Sequence, residues 1–120
     1  VAGGGELRGD LDAKNIVRVG DTSEEAIMEK AQCVVEIMCE RLSKLSNNDF
    51  VSHIDVYSAH NLTRQLVQGI IRDIPSAASV GLHWFYTRPP ILDIEFEMDV
   101  RGVVREIVID LGPRQQPKSK

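Results

Sequence analysis

An α+β domain, in which a mixed sheet carries two helices on one face, is the fold that this 120-residue sequence predicts. Three features lead there. Two stretches repeat their apolar residues with the period of a helix, two others alternate apolar and polar residues as strands do, and the strands cluster late in the chain. The predicted order is β(β)–α–β–α–β–β.

The opening run Val1-Ala2-Gly3-Gly4-Gly5 has no initiator Met and reads as a strand cut short, which implies missing upstream residues or processing. Residues 15–19 predict a short strand, ended by Gly20. Asp21, Thr22 and Ser23 supply N-cap chemistry for a helix over 23–45, with Glu24 and Glu25 in the first turn favoured by the helix dipole. Ile27, Ala31, Val34, Val35, Met38, Leu42 and Leu45 form its apolar stripe. Ser46-Asn47-Asn48-Asp49 is a loop signal. Over 50–58, Phe50, Ile54 and Val56 share one strand face and Val51, His53, Asp55 and Tyr57 the other.

A second helix is predicted over 62–73, capped by Asn61 and ended by Pro75, which cannot continue the hydrogen-bond ladder. Gly69 sits inside it, where glycine costs ~1 kcal/mol relative to alanine, and so predicts a close packing contact. Trp84, Phe85 and Tyr86 mark a strand over 82–87, and Pro89-Pro90 breaks it. Residues 91–100 then alternate strictly, Asp93, Glu95, Glu97 and Asp99 against Ile94, Phe96, Met98 and Val100. Gly102 predicts a bulge, 103–111 a further β-rich run, and the polar 113–120 a disordered tail, leaving 1–112 as one domain.

Composition narrows the function classes. Fourteen basic against eighteen acidic residues leave a net charge of −4, the wrong sign for neutralising nucleic-acid phosphates. No apolar run approaches the ~20 residues of a membrane span, and no signal peptide is visible, so a soluble, cytoplasmic protein is expected. Cys33 and Cys39 suit a reducing compartment. They lie six apart on a helix, about 240° around it, so they neither pair nor share a metal. Two helices cannot cover both faces of a sheet, and the uncovered face is expected to carry large apolar groups and to be buried by self-association.

The element order, the start Val1-Ala2-Gly3-Gly4, the long helix after Gly20, the strand at 51–58 and the late strand Leu92-Asp93-Ile94-Glu95-Phe96-Glu97-Met98 together resemble the RidA/YjgF family. The resemblance implies a chorismate-mutase-like α+β homotrimer that binds a small molecule in clefts between subunits. It implies hydrolysis of reactive enamines or imines with release of ammonia, without metal or organic cofactor. The family's N-terminal hairpin would be missing. Two departures stand out. The family's substrate-holding arginine falls in Ser79-Val80-Gly81-Leu82-His83, which has none, and its serine falls on Ala2. The family's late glutamate is matched by Glu95.

Glu95 is therefore the candidate catalytic residue. Glu95 and Glu97 lie about 7 Å apart on one strand face. Such a row is ordinarily a solvated face; lining a cleft, it becomes general acid–base machinery. His83, Arg88 and Glu97 are the candidate ligand-binding residues. His83 reads either as a packed histidine beside Trp84 or as a replacement for the missing arginine. Arg88 offers a planar fork to a carboxylate. His53 and Asp55 share a face, but the third and fourth ligands of a structural metal are absent, with His60 in a loop. A non-catalytic, metabolite-binding or interaction protein is the alternative to the deaminase.

Overall fold

Four strands and three helices follow one another in a computed structural model that describes residues 3–45, 51–74, 77–102 and 107–112. They are β1 (Gly4–Gly5), α1 (Glu24–Ser43), β2 (His53–Tyr57), α2 (Arg64–Asp73), α3 (Ala77–Val80), β3 (His83–Phe85) and β4 (Glu97–Arg101). The sheet order is β1-β4-β2-β3. β4 runs antiparallel to both β1 and β2, whereas β3 runs parallel to β2 and is reached through α2 and α3. The α+β class and the mixed sheet follow the sequence expectation, with the one-turn α3 added.

α1 begins where the capping chemistry places it. Ser23 Oγ accepts from the Ala26 N–H at 3.2 Å, with Glu24 and Glu25 in the first turn. Its stripe packs with Leu66, Ile70 and Ile74 of the α2 segment onto Ile54, Val56, Phe96, Met98 and Val100, so both long helices share one core. α2 is capped by Thr63, whose hydroxyl accepts from the Leu66 N–H at 3.2 Å, two residues beyond the expected Asn61. No packing partner lies within 4 Å of a Cβ added at Gly69, so the expected close contact is absent there. Among the described residues, no helix is long and apolar enough to cross a membrane.

Three other local expectations are corrected. Residues 15–19 form no strand. Asp12 caps a 3-10 turn at Ala13–Asn15, Ile16 makes a single bridge to Leu7, and positive φ angles at Arg18 (46°) and Gly20 (79°) turn the chain into α1. The late strand starts at Glu97 and not at Ile91. Asp93 adopts a φ of 67°, the Ile94 N–H donates to Ile91 O, and the next two N–H groups bind a side chain. Residues 107–112 are not strand, and Ile107, Val108, Ile109 and Leu111 are exposed. β-propensity is expressed only against a neighbouring strand, and 107–112 has none among the described residues. Val1, Ala2, the 46–49 loop, Phe50, Pro75, the start of the 103–111 run and the 113–120 tail lie outside the described residues.

The sheet face away from the helices is mainly acidic, and of the large apolar groups expected there it carries Phe85, stacked on Tyr57 with ring centroids 5.1 Å apart. Asp55 on β2 stands opposite Asp99 on β4, and Tyr57 opposite Glu97. Tyr57 Oη donates to Asp99 Oδ2 at 2.8 Å, while Asp99 Oδ1 is buried with no hydrogen-bond partner among the described residues. Burial, then the facing Asp55, pushes the Asp99 carboxyl above its ordinary value, against the pull of the Tyr57 hydroxyl. The Tyr57 phenol is in turn pushed up to about 12 by its bond to Asp99 and by burial.

A carboxyl raised in the folded state contributes stability that is complete below its unfolded value of ~3.9 and is lost as pH rises through the folded value. Asp99→Asn keeps an oxygen for Tyr57 and turns a donor toward Asp55. We expect it to raise the melting temperature at pH 7 by a few degrees, for a gain of ~1 kcal/mol, and to lose that advantage below about pH 4. Thermal melts of both proteins at the two pH values check this.

Candidate active site

The carboxyl ends of the parallel pair β2 and β3 open at the point where the chain enters β4, and three polar side chains meet there. Glu95 comes from the approach to β4, His60 from the turn after β2, and Arg88 from the segment after β3. Glu95 is 7% exposed. Its Oε2 lies 2.8 Å from His60 Nε2 and its Oε1 3.3 Å from Arg88 Nη2. An ionised carboxylate only accepts, so the His60 tautomer that suits this contact carries its proton on Nε2.

Ser58 ties the turn together. Its Oγ donates to Glu95 O at 3.0 Å and accepts from the His60 N–H at 3.2 Å, and its own carbonyl accepts from Trp84 Nε1 at 3.0 Å. Trp84 packs edge-on against Tyr86, with ring centroids 5.7 Å apart. The backbone of both Glu95 and His60 is thus pinned by one buried hydroxyl. His60 also borders a groove of about 520 Å³ between the starts of α1 and α2, walled by Glu24, Ile27, Met28, Thr63 and Leu66.

Of the residues singled out from sequence, Glu95 and Arg88 meet, and His83 and Glu97 lie elsewhere. His83 is largely exposed on the acidic sheet face, its Nδ1 3.4 Å from Asp55 Oδ1. It contacts the register partner of β3 on β2 and not Glu95. Glu97 is the first residue of β4, in register with Gly5 and Tyr57, and burial followed by Asp99 pushes its carboxyl up. The cation beside Glu95 comes from the far end of β3, seven residues after Gly81, where the resemblance looked for an arginine at the near end.

Sequence reasoning missed His60, Ser58 and two deeper residues. Glu6 and Lys30 are fully buried, with Lys30 Nζ 3.7 Å from Glu6 Oε1 and 2.8 Å from Val17 O. Their signal was present: Lys30 lies three residues after Ile27 and four before Val34, on the apolar stripe of α1. Glu6 accepts from the peptide N–H groups of Glu95 and Phe96, the latter at 2.8 Å.

Among the described residues, no group of three or more His, Cys, Asp or Glu side chains is placed to hold a metal ion. Cys33 and Cys39 are free thiols, and burial pushes both up, away from the reactive thiolate. The arrangement built by Glu95, His60 and Arg88 can move a proton between a buried carboxylate and an imidazole. It also presents a guanidinium, 69% exposed at its side chain, to an anionic group.

Comparison with known proteins adds an independent line. A 2-amino-5-chloromuconate deaminase of Comamonas testosteroni is 41% identical over 113 residues, which is 91% of this chain and 44% of the relative. The chain therefore spans less than half the length of that curated relative. No solved structure matches it. The family model described as 2-aminomuconate deaminase CnbZ matches residues 1–107. A match over that much of the sequence, through β1, Glu6, both long helices and the Glu95 cluster, makes the chain a member of the 2-aminomuconate deaminase CnbZ family.

Proposed function

We propose that this chain carries the proton-handling site of a deaminase that hydrolyses 2-aminomuconate or a close analogue, an unsaturated dicarboxylate bearing an enamine-type amino group. The observation that carries this reading is the buried Glu95 carboxylate held between His60 and Arg88, in a chain whose family and relative are both named as muconate deaminases.

The chemistry balances without an oxidant. The enamine takes a proton on carbon and gives one up from nitrogen, becoming an imine. Water adds to the imine carbon, forming a C–O bond as the C=N π pair moves to nitrogen. The resulting carbinolamine expels ammonia as the C=O bond forms. One water is consumed and one ammonia released. Glu95 accepts a proton from the attacking water and returns it to the departing nitrogen, with His60 as the adjacent proton relay. Arg88 has five N–H donors, and its contact with Glu95 leaves capacity for a substrate carboxylate. The anchor absent near Gly81 is thereby supplied from the other end of β3.

The RidA-like reading also implies a homotrimer with its clefts between subunits. The exposure of Arg88 on a single chain and the apolar surface of Trp84, Phe85 and 107–111 support it. The test is ammonia release from freshly generated 2-aminomuconate, followed by a coupled assay, with the mass in solution measured by light scattering. Stoichiometric ammonia is the expected result. Saturable binding with no ammonia would instead establish a ligand-binding protein, and a single-chain mass would remove the trimer.

A further inference from the structure

We propose that Glu6, with Lys30 as its counter-ion, is the positioning residue for Glu95, an assignment that rests on Glu95 being the proton-handling group. Glu6 directly follows β1 and stands 89 residues from Glu95. Its two carboxylate oxygens take two consecutive peptide donors, Oε1 the Glu95 N–H and Oε2 the Phe96 N–H at 2.8 Å. These peptides precede β4 and have no strand partner, so the side chain does what a neighbouring strand would otherwise do.

Three side-chain contacts then fix the peptide units on either side of Glu95: Glu6 Oε1 on its N–H, Glu6 Oε2 on the following N–H, and Ser58 Oγ on its carbonyl. With the backbone held on both sides, the Cα–Cβ bond has one direction. That direction carries the carboxylate to His60 and Arg88.

A purely structural explanation fits less well. Both Glu6 and Lys30 are fully buried, and a buried ion pair is commonly no more stabilising than an apolar pair of the same volume. What an apolar pair cannot provide is two acceptors aimed at two successive amides. Lys30 reaches Glu6 Oε1 and is itself held by Val17 O. Burial pushes the Glu6 carboxyl's proton affinity up, and the peptide donors, with Lys30 after them, pull against that rise.

The test uses Glu6→Gln combined with Lys30→Met, a pair of nearly unchanged volume that leaves no unpaired buried charge. The glutamine retains one acceptor and opposes a donor to the other N–H. Two measurements are made on the folded double variant: kcat and KM for ammonia release from 2-aminomuconate, and the nitrogen-bound proton resonance of His60 Nε2 in isotope-labelled protein. We expect kcat to fall at least 10-fold with KM within about twofold, together with a displaced or exchange-broadened His60 resonance. An unchanged kcat overturns the assignment, and so does a fall in kcat with an unmoved His60 resonance. If the wild-type chain releases no ammonia, the deaminase reading fails separately. The resonance then still decides whether Glu6 places Glu95 against His60.

Discussion

Glu95→Gln is expected to lower kcat for ammonia release by about 10²–10⁴-fold, the range that loss of a general acid–base group produces, while the protein still folds. The substitution changes shape very little. Chemically, it replaces an acceptor of two charge-assisted contacts, from His60 at 2.8 Å and Arg88 at 3.3 Å, by an amide whose nitrogen is itself a donor. The variant can no longer take a proton from water. Its backbone anchors are untouched, because Glu6 and Ser58 grip peptide atoms and not the side chain. Steady-state kinetics, with circular dichroism and a thermal melt as the folding control, separate the loss of chemistry from a loss of structure. Activity within threefold of wild type would return Glu95 to an ordinary buried carboxylate.

The largest effect on stability is expected at Lys30. Lys30→Met leaves the Glu6 carboxylate buried beside two peptide donors with no counter-charge. Breaking a buried pair from one side costs about 3–5 kcal/mol, a large fraction of the 5–15 kcal/mol that holds a typical domain together. Urea unfolding should show a loss of that size for the single variant. It should show recovery of most of the loss when Glu6→Gln is added, since the charge that needed Lys30 is then gone. A single variant as stable as wild type would mean that Glu6 is protonated in the folded chain.

Much of the frame was legible because local chemistry and tertiary packing agree in it. The Ser23 cap and the stripe from Ile27 to Met38 specify α1 without knowledge of the rest of the chain. Ile54 and Val56 do the same for β2, although Asp55 between them is buried as well. β4 was legible only from Glu97 onward. Alternation over 91–96 gives no sign that Asp93 turns to a positive φ, or that a carboxylate from residue 6 takes the next two amides.

The candidate site follows the same division. Glu95 and Arg88 were within reach of sequence reasoning as acid and cation, although their contact was not. His60 was not, because nothing local to a loop histidine says that a serine two residues earlier pins its backbone to Glu95. Asp99 shows the complementary failure. Strand parity places it on the outward face, but it cannot show that Asp55 stands directly opposite and that one oxygen finds no donor.

The bonds from Glu6 to the Glu95 and Phe96 peptides close loops of 89 and 90 residues. The entropy of closing a loop grows only as the logarithm of its length, so the span is thermodynamically tolerable. Kinetically it is demanding, because contacts distant in sequence form slowly and the two ends must meet before the site exists. β1 is two residues long and sits at a sheet edge, where fraying costs far less than global unfolding. A brief departure of Gly4 to Glu6 from the sheet would release the Glu95 and Phe96 amides and slacken the Glu95 carboxylate while α1, β2 and α2 stay folded. On the proposed reading, competence for proton handling is thus a property separate from being folded, and it is governed by how firmly β1 is held down.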